Sequence, residues 1–306
     1  MIRTDMPSPP PGPTKPPKSL LRAVAWMTGT LLSFTFMAIA VRELSGQIHS
    51  FQIMLFRSIG ALVILLPFAV VMGRAIWRTN NLKLQFGRNT VHFAAQLGWI
   101  TGIGLLPLAE VFAIEFTAPI WATIMAVLFL GERLNRGRIV AVVLGFVGIL
   151  VILRPGVAAI DHGTIAVLGA AVGFAMTLSI TKFMTRTDAP VTILLYMSVI
   201  QLPMGITLSA FVWVTPDWLQ FFWLFVVGAV GLSAHYCTAK ALSIADQTIV
   251  VPMDFMRLPL IIGVGFLVYG ETAQLPVLLG ALLIFAGNYY SIRLENQKSR
   301  AKQTDL

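Results

Sequence analysis

The sequence predicts an all-α integral membrane protein of ten transmembrane helices, built as two inverted five-helix repeats with both termini cytoplasmic. Three observations predict this class. Of 306 residues, 57% are hydrophobic and 11% charged, and the mean hydropathy is +0.82; a soluble domain of that length could not hide so much apolar surface. Apolar runs close to the roughly 20 residues that span a bilayer recur along the whole chain. One short pattern also occurs twice, 139 residues apart: Gly131-Glu132 with Gly148, then Gly270-Glu271 with Gly287.

Residues 1–21 read as a solvated, extended tail, because positions 7–17 hold seven prolines and no periodic apolar face. The first apolar run follows this tail and is long enough to span, so it reads as a retained anchor and not a cleaved leader. The first repeat, 22–156, takes runs at 22–42, 50–73, 89–106, 109–130 and 138–153. Only Leu106-Pro107-Leu108 separates the third run from the fourth. The fifth is the shortest, and counting it makes the halves equal. The second repeat, 157–294, takes runs at 163–183, 190–214, 218–240, 247–269 and 273–292, and residues 295–306 form a cytoplasmic tail. Ala141 and Gly280 precede Gly148 and Gly287 by seven residues, giving helices five and ten a small-residue stripe for close packing. Gly98 and Gly102, and Gly169 and Gly173, offer further such faces, which suit packing within the chain better than a homodimer contact.

Charge sets the orientation, since cytoplasmic loops concentrate lysine and arginine. With the N-terminus inside, eighteen of the twenty-two basic residues fall on the cytoplasmic side, Arg88 counted among them. Only Arg42 and Arg154 fall outside, and Arg57 and Arg257 lie within helices. The formal charge of +9 then reflects topology and anionic lipid headgroups, with no nucleic-acid partner needed.

Five helices per half is an odd number, so the second half enters the membrane from the opposite side. Inverted repeats place a substrate site near the midplane between the halves, which points toward secondary transport. Phe56-Arg57, the run Phe116-Thr117-Ala118-Pro119 leading to Leu128-Phe129-Leu130-Gly131-Glu132-Arg133, and Tyr269-Gly270-Glu271 with Gly280 and Gly287 carry a family likeness. On these residues the chain resembles the bacterial two-domain EamA members of the drug/metabolite transporter superfamily, over nearly all of its length except the tails. The resemblance implies helices 1–4 and 6–9 around a central cavity, helices 5 and 10 as an outer scaffold, and movement of small organic metabolites across a bacterial inner membrane without ATP. Pro252, Asp254 and Arg257 depart from the more uniformly apolar pattern of such domains.

Ionisable groups inside the hydrocarbon layer are costly unless they meet partners or a wet cavity, so Arg57, Glu115, Asp254 and Arg257 are the first substrate-binding candidates. Asp254 and Arg257, three residues apart, share a helix face and either satisfy each other or hold a substrate carboxylate or phosphate. Pro252 and Pro259 bracket them and should open the helix-nine backbone. Glu115 either pairs with Arg57, locking helices two and four, or binds a substrate amine or a coupling proton. Gln96 and Trp99 share a face with His92 in helix three, where they form a polar seam or a cavity wall. His235 and Tyr236 in helix eight and Tyr196 in helix seven complete the set.

Two transport readings stay open: movement of an anionic or zwitterionic metabolite, amino-acid-like or a carboxylate, and export of amphipathic cationic or neutral compounds. A passive facilitator or channel is the third. An enzyme is disfavoured, because Ser233 and His235, two apart, point about 200° around the helix from each other. Cys237 is the single cysteine and no HExxH motif occurs, so no metal site and no cofactor is expected. Expected partners are a small-molecule substrate, membrane lipids, and a coupling proton or counter-substrate.

Overall fold

The computed structural model describes residues 17–130, 136–154, 161–245, 250 and 253–304. All regular structure among them is helical. The helices are α1 Pro17–Leu44, α2 Ser50–Met72, α3 Leu82–Leu105, α4 Leu108–Glu115, α5 Ala118–Leu130, α6 Arg136–Leu153, α7 His162–Met184, α8 Pro190–Ser209, α9 Trp218–Ile244, α10 Arg257–Tyr269 and α11 Leu275–Thr304, with a 3-10 turn at Gly73–Trp77. Eight stretches among the described residues are long and apolar enough to cross a membrane, and α10 is a shorter apolar helix. The 24-residue α3 is long enough, yet Lys83, Arg88, Asn89, His92 and Gln96 make it too polar to join that group.

Helix four differs from the continuous span expected over 109–130. It breaks at Phe116-Thr117 into α4 and α5. Pro119 has no N–H to return to the Glu115 carbonyl four residues earlier. At the break the Thr117 hydroxyl and N–H both donate to the Ile114 carbonyl, at 2.7 and 3.0 Å. Helix nine breaks at the equivalent place, Phe255-Met256, as the prolines led us to expect, and Pro259 stands just inside α10. Pro252 lies outside the described residues, as do Gly131, Glu132 and Arg133. Several boundaries also shift: α1 begins at Pro17, inside the stretch expected as an extended tail, α3 begins seven residues before the expected start, α8 ends at Ser209, α9 runs on to Ile244, and α11 continues as helix through the tail to Thr304.

The packing is itself two-fold in pattern. The first helix of each repeat lies on the third helix of the other, α1 on α9 and α7 on α3. Glycines set the distances. A Cβ on Gly98 would stand 2.5 Å from the Ala166 carbonyl oxygen, and one on Gly173 would stand 2.7 Å from the Ala95 methyl. The two predicted stripes meet each other: a Cβ on Gly148 would lie 2.7 Å from the Gly280 oxygen, and one on Gly280 2.6 Å from the Gly148 oxygen. Helices α6 and α11 thus touch backbone to backbone, a contact only small residues allow. Gly169 is the exception among these stripes, with nothing among the described residues within 4 Å of an added Cβ.

Gly270 adopts φ 65° and caps α10, with the Glu271 N–H returning to the Gly265 carbonyl at 2.9 Å. The turn aims Glu271 back into the bundle. Its carboxylate pairs with Arg42 of α1 and accepts the Leu108 N–H at the start of α4 at 2.8 Å. Arg42 also donates to the Leu106 carbonyl at 2.8 Å, and the Tyr269 hydroxyl donates to Glu43 at 2.9 Å. This latch ties α1, α4 and α10 together at the end of the bundle that carries the α1–α2 turn.

Candidate functional site

Between the repeats lies a cavity of about 550 Å³. Its lining runs from Trp99, Glu115 and Arg257 at mid-depth to Arg138, Pro190 and Ile292 at the end opposite the latch. Asn288 and Ser291 of α11 and Arg138 and Ala141 of α6 join that lining, so the expected outer scaffold supplies part of the wall.

One pole is a carboxylate cluster. The Arg257 guanidinium donates to Asp254 Oδ2 at 2.6 Å and stands 3.2 Å from Glu115 Oε1, while Trp99 Nε1 donates to Glu115 Oε2 at 2.8 Å. The rings of Phe34, Phe112 and Phe116 surround the guanidinium at 4.5, 5.3 and 5.4 Å. Two carboxylates share one guanidinium, and among the described residues the buried Asp254 Oδ1 has no hydrogen-bond partner. The two helix breaks supply these acids, since Glu115 ends α4 and Asp254 precedes the interruption before α10.

Repeat symmetry explains the convergence. Glu115 and Asp254 are 139 residues apart, the offset of the Gly-Glu pattern. Phe116 and Phe255 share that offset and their rings meet at 4.8 Å. Gln96 and His235 share it too, with side-chain nitrogens 3.4 Å apart. The last two pairs touch directly and the first converges on Arg257, as residues near a pseudo-two-fold axis do.

The other pole is basic. Arg88 lines the cavity at 4% exposure, its Nε donating to the Thr181 hydroxyl at 3.1 Å and its Nη1 to Asn89 Oδ1 at 2.7 Å. Arg57, 3% exposed, donates to Gln201 Oε1 at 3.0 Å. Gln201 in turn donates to the Asn89 carbonyl at 3.0 Å and lies 3.1 Å from His92 Nδ1. Among the described residues no carboxylate lies within ion-pair distance of either arginine.

Of the residues picked out from the sequence, Glu115, Asp254, Arg257, Gln96, Trp99 and His235 share the cavity wall, whereas Arg57, Tyr196 and Tyr236 are not among its lining. Arg57 sits behind it. The Tyr196 hydroxyl donates to the Trp77 carbonyl, and Tyr236 packs edge-on to Trp26. The Arg57–Glu115 pair considered from the sequence does not form, because Glu115 is taken by Arg257 and Trp99. Asp254 and Arg257 do pair. The sequence reading missed Arg88, counted as a cytoplasmic loop charge, and Asn288 and Gln201. Extending the His92–Gln96–Trp99 stripe one turn backward reaches Arg88, which is the signal that could have found it.

Comparison with known proteins agrees with this architecture. The chain is 25% identical over 285 residues to a protein named S-adenosylmethionine uptake transporter from Rickettsia conorii, covering 93% of this chain and 97% of that one. It is 29% identical over 293 residues to a protein named riboflavin transporter from Vibrio cholerae, covering 92% and 97%. A crystal structure 14% identical in sequence shares the fold with a TM-score of 0.62, over 90% of this chain and 98% of that one. The model of the EamA-like transporter family matches twice, over residues 21–154 and 162–293. With two repeats, a cavity between them and relatives named as transporters of small metabolites, the chain belongs to the EamA-like transporter family, as a multi-pass membrane protein and not an enzyme.

Proposed function

We propose that this protein is a secondary transporter that carries a small zwitterionic organic metabolite by alternating access, through ten membrane-crossing helices with both termini in the cytoplasm of a bacterial cell. The surplus carboxylate in the cavity wall carries this reading. Glu115, Asp254 and Arg257 together hold one negative charge more than they cancel, so the pole attracts a cationic or hydrogen-donating group. S-adenosylmethionine, the compound in one set of relatives' names, bears a sulfonium, an ammonium and a carboxylate. Riboflavin bears no fixed positive charge and uses this surplus less well. Arg257 acts here as an internal partner and not as the substrate's anion site.

Alternating access is supported by the contrast between the ends. The Arg42–Glu271 latch ties one end, while the cavity lining reaches the other, the cytoplasmic side in the orientation proposed from the lysine and arginine distribution. Rocking one repeat against the other exchanges which end is tied. Export of a cationic amphipathic compound is the second reading, favoured by the same surplus charge. Uptake of labelled S-adenosylmethionine and of riboflavin, and efflux of a cationic dye, measured in proteoliposomes of wild type and Glu115→Gln, separate these readings. Uptake of S-adenosylmethionine that falls at least tenfold in Glu115→Gln supports the first. Dye efflux without it supports the second, and riboflavin uptake indifferent to Glu115 overturns the charge argument.

A further inference from the structure

We infer that the cavity holds an anion subsite built on Arg88, backed by Arg57, which takes a carboxylate or phosphate group of the transported molecule. The inference rests on the transport reading above and assigns the pole that reading leaves unused.

Two guanidiniums are buried at this pole, at 3% and 4% exposure, and their described partners are all neutral: Gln201 and the Met197 sulfur for Arg57, Asn89 and Thr181 for Arg88. Neutral acceptors satisfy N–H groups but cancel no charge. A buried arginine in a membrane protein is normally paired or wet, so a fixed pair of cations without an acid costs stability that only an arriving anion recovers. The network also fixes geometry. Gln201 links Arg57 to Asn89, and Asn89 links to Arg88, so both cations are held in place before any ligand arrives. Arg88 is the member that faces the cavity. Arg57 sets the positive potential behind it.

The two poles are separated along α3. Arg88, His92, Gln96 and Trp99 all line the cavity, and from Arg88 to Trp99 the helix rises about 16 Å at about 1.5 Å per residue. Trp99 holds Glu115 of the acidic cluster, so the wall grades from basic to acidic through the His92 and His235 imidazoles, whose rings are 5.0 Å apart. A cavity with separate acidic and basic poles orients a dipolar molecule as well as binding it.

The test uses the purified full-length protein in detergent, melted in the presence of acetate, inorganic phosphate or neutral acetamide at constant ionic strength. Acetate or phosphate should stabilise the wild type and Glu115→Gln, and acetamide neither. Arg88→Gln should weaken the anion's effect about tenfold or more, the loss of a charge-assisted hydrogen bond. Without anion it should melt no lower than wild type. Thr181→Val, which keeps the charge and removes the hydroxyl holding Nε, should weaken anion binding while leaving the protein folded. Anion shifts equal in wild type and Arg88→Gln, no shift in the wild type, or an Arg88→Gln protein that melts far below wild type without anion would each overturn the proposal. Acetate should compete with S-adenosylmethionine; acetate that strengthens its binding means a separate counter-anion and overturns the assignment to the transported molecule. Failure of S-adenosylmethionine to bind, with the acetate effect intact and lost in Arg88→Gln, overturns the substrate reading and leaves the subsite standing.

Discussion

Arg257 and Arg88 line one cavity, are equally buried, and live in opposite surroundings. Arg257 has two carboxylates and three aromatic faces, and Arg88 has a threonine hydroxyl and an asparagine carbonyl. The first charge is over-compensated inside the fold and the second is left uncompensated. Burial by itself therefore does not mark a substrate ligand. What marks it is charge that the protein itself does not cancel, negative beside Arg257 and positive at Arg88.

This contrast can be broken by substitution. Removing Arg257 strands two carboxylates, so Arg257→Gln should cost about 3–5 kcal/mol in unfolding of the detergent-solubilised protein. A cost under about 1 kcal/mol would mean the cluster is not a stabilising unit. Adding Glu115→Gln to that variant removes one stranded charge and should recover about 1–3 kcal/mol, a coupling that a double-mutant cycle measures directly. The Arg42–Glu271 latch sharpens the contrast from between, since its partners are paired yet 18% and 22% exposed. Solvent screens it, so Glu271→Gln should cost about 1 kcal/mol. Its larger effect should be on access: labelling of a cysteine placed at Ser45 should speed up as that end unties. The smallest effect is expected at Arg88, where Arg88→Gln should change unfolding free energy by under about 1 kcal/mol in the absence of anion. Loss of several kcal/mol there would make the two arginines alike and dissolve the comparison.

Much of the fold was legible in the residues. The Gly148 and Gly280 stripes predicted close packing, and the structure presses them on each other. The prolines around Asp254 predicted an interrupted helix nine. The matching break at Phe116-Thr117 was equally written in Pro119, but the strong apolar run through it masked the signal. The wall of the candidate cavity was half legible. Glu115, Asp254, Arg257, Gln96, Trp99 and His235 were found because polar groups in apolar helices stand out one at a time. Arg88 did not stand out, since it lies near a helix end where a basic residue also serves as a topological anchor.

The sequence by itself determined the membrane class, the helical architecture and the internal repeat, because hydropathy and residue spacing act locally and need no knowledge of what a helix touches. Tertiary structure alone decided the pairings. Glu115 is held by Arg257 and not Arg57, Arg57 by Gln201, and Arg42 by Glu271, each across more than a hundred residues of chain. Such contacts depend on where helices cross, and a crossing is fixed by glycine-lined packing between elements distant in sequence. Which arginine is satisfied and which is left for a ligand is therefore a property of the packed bundle.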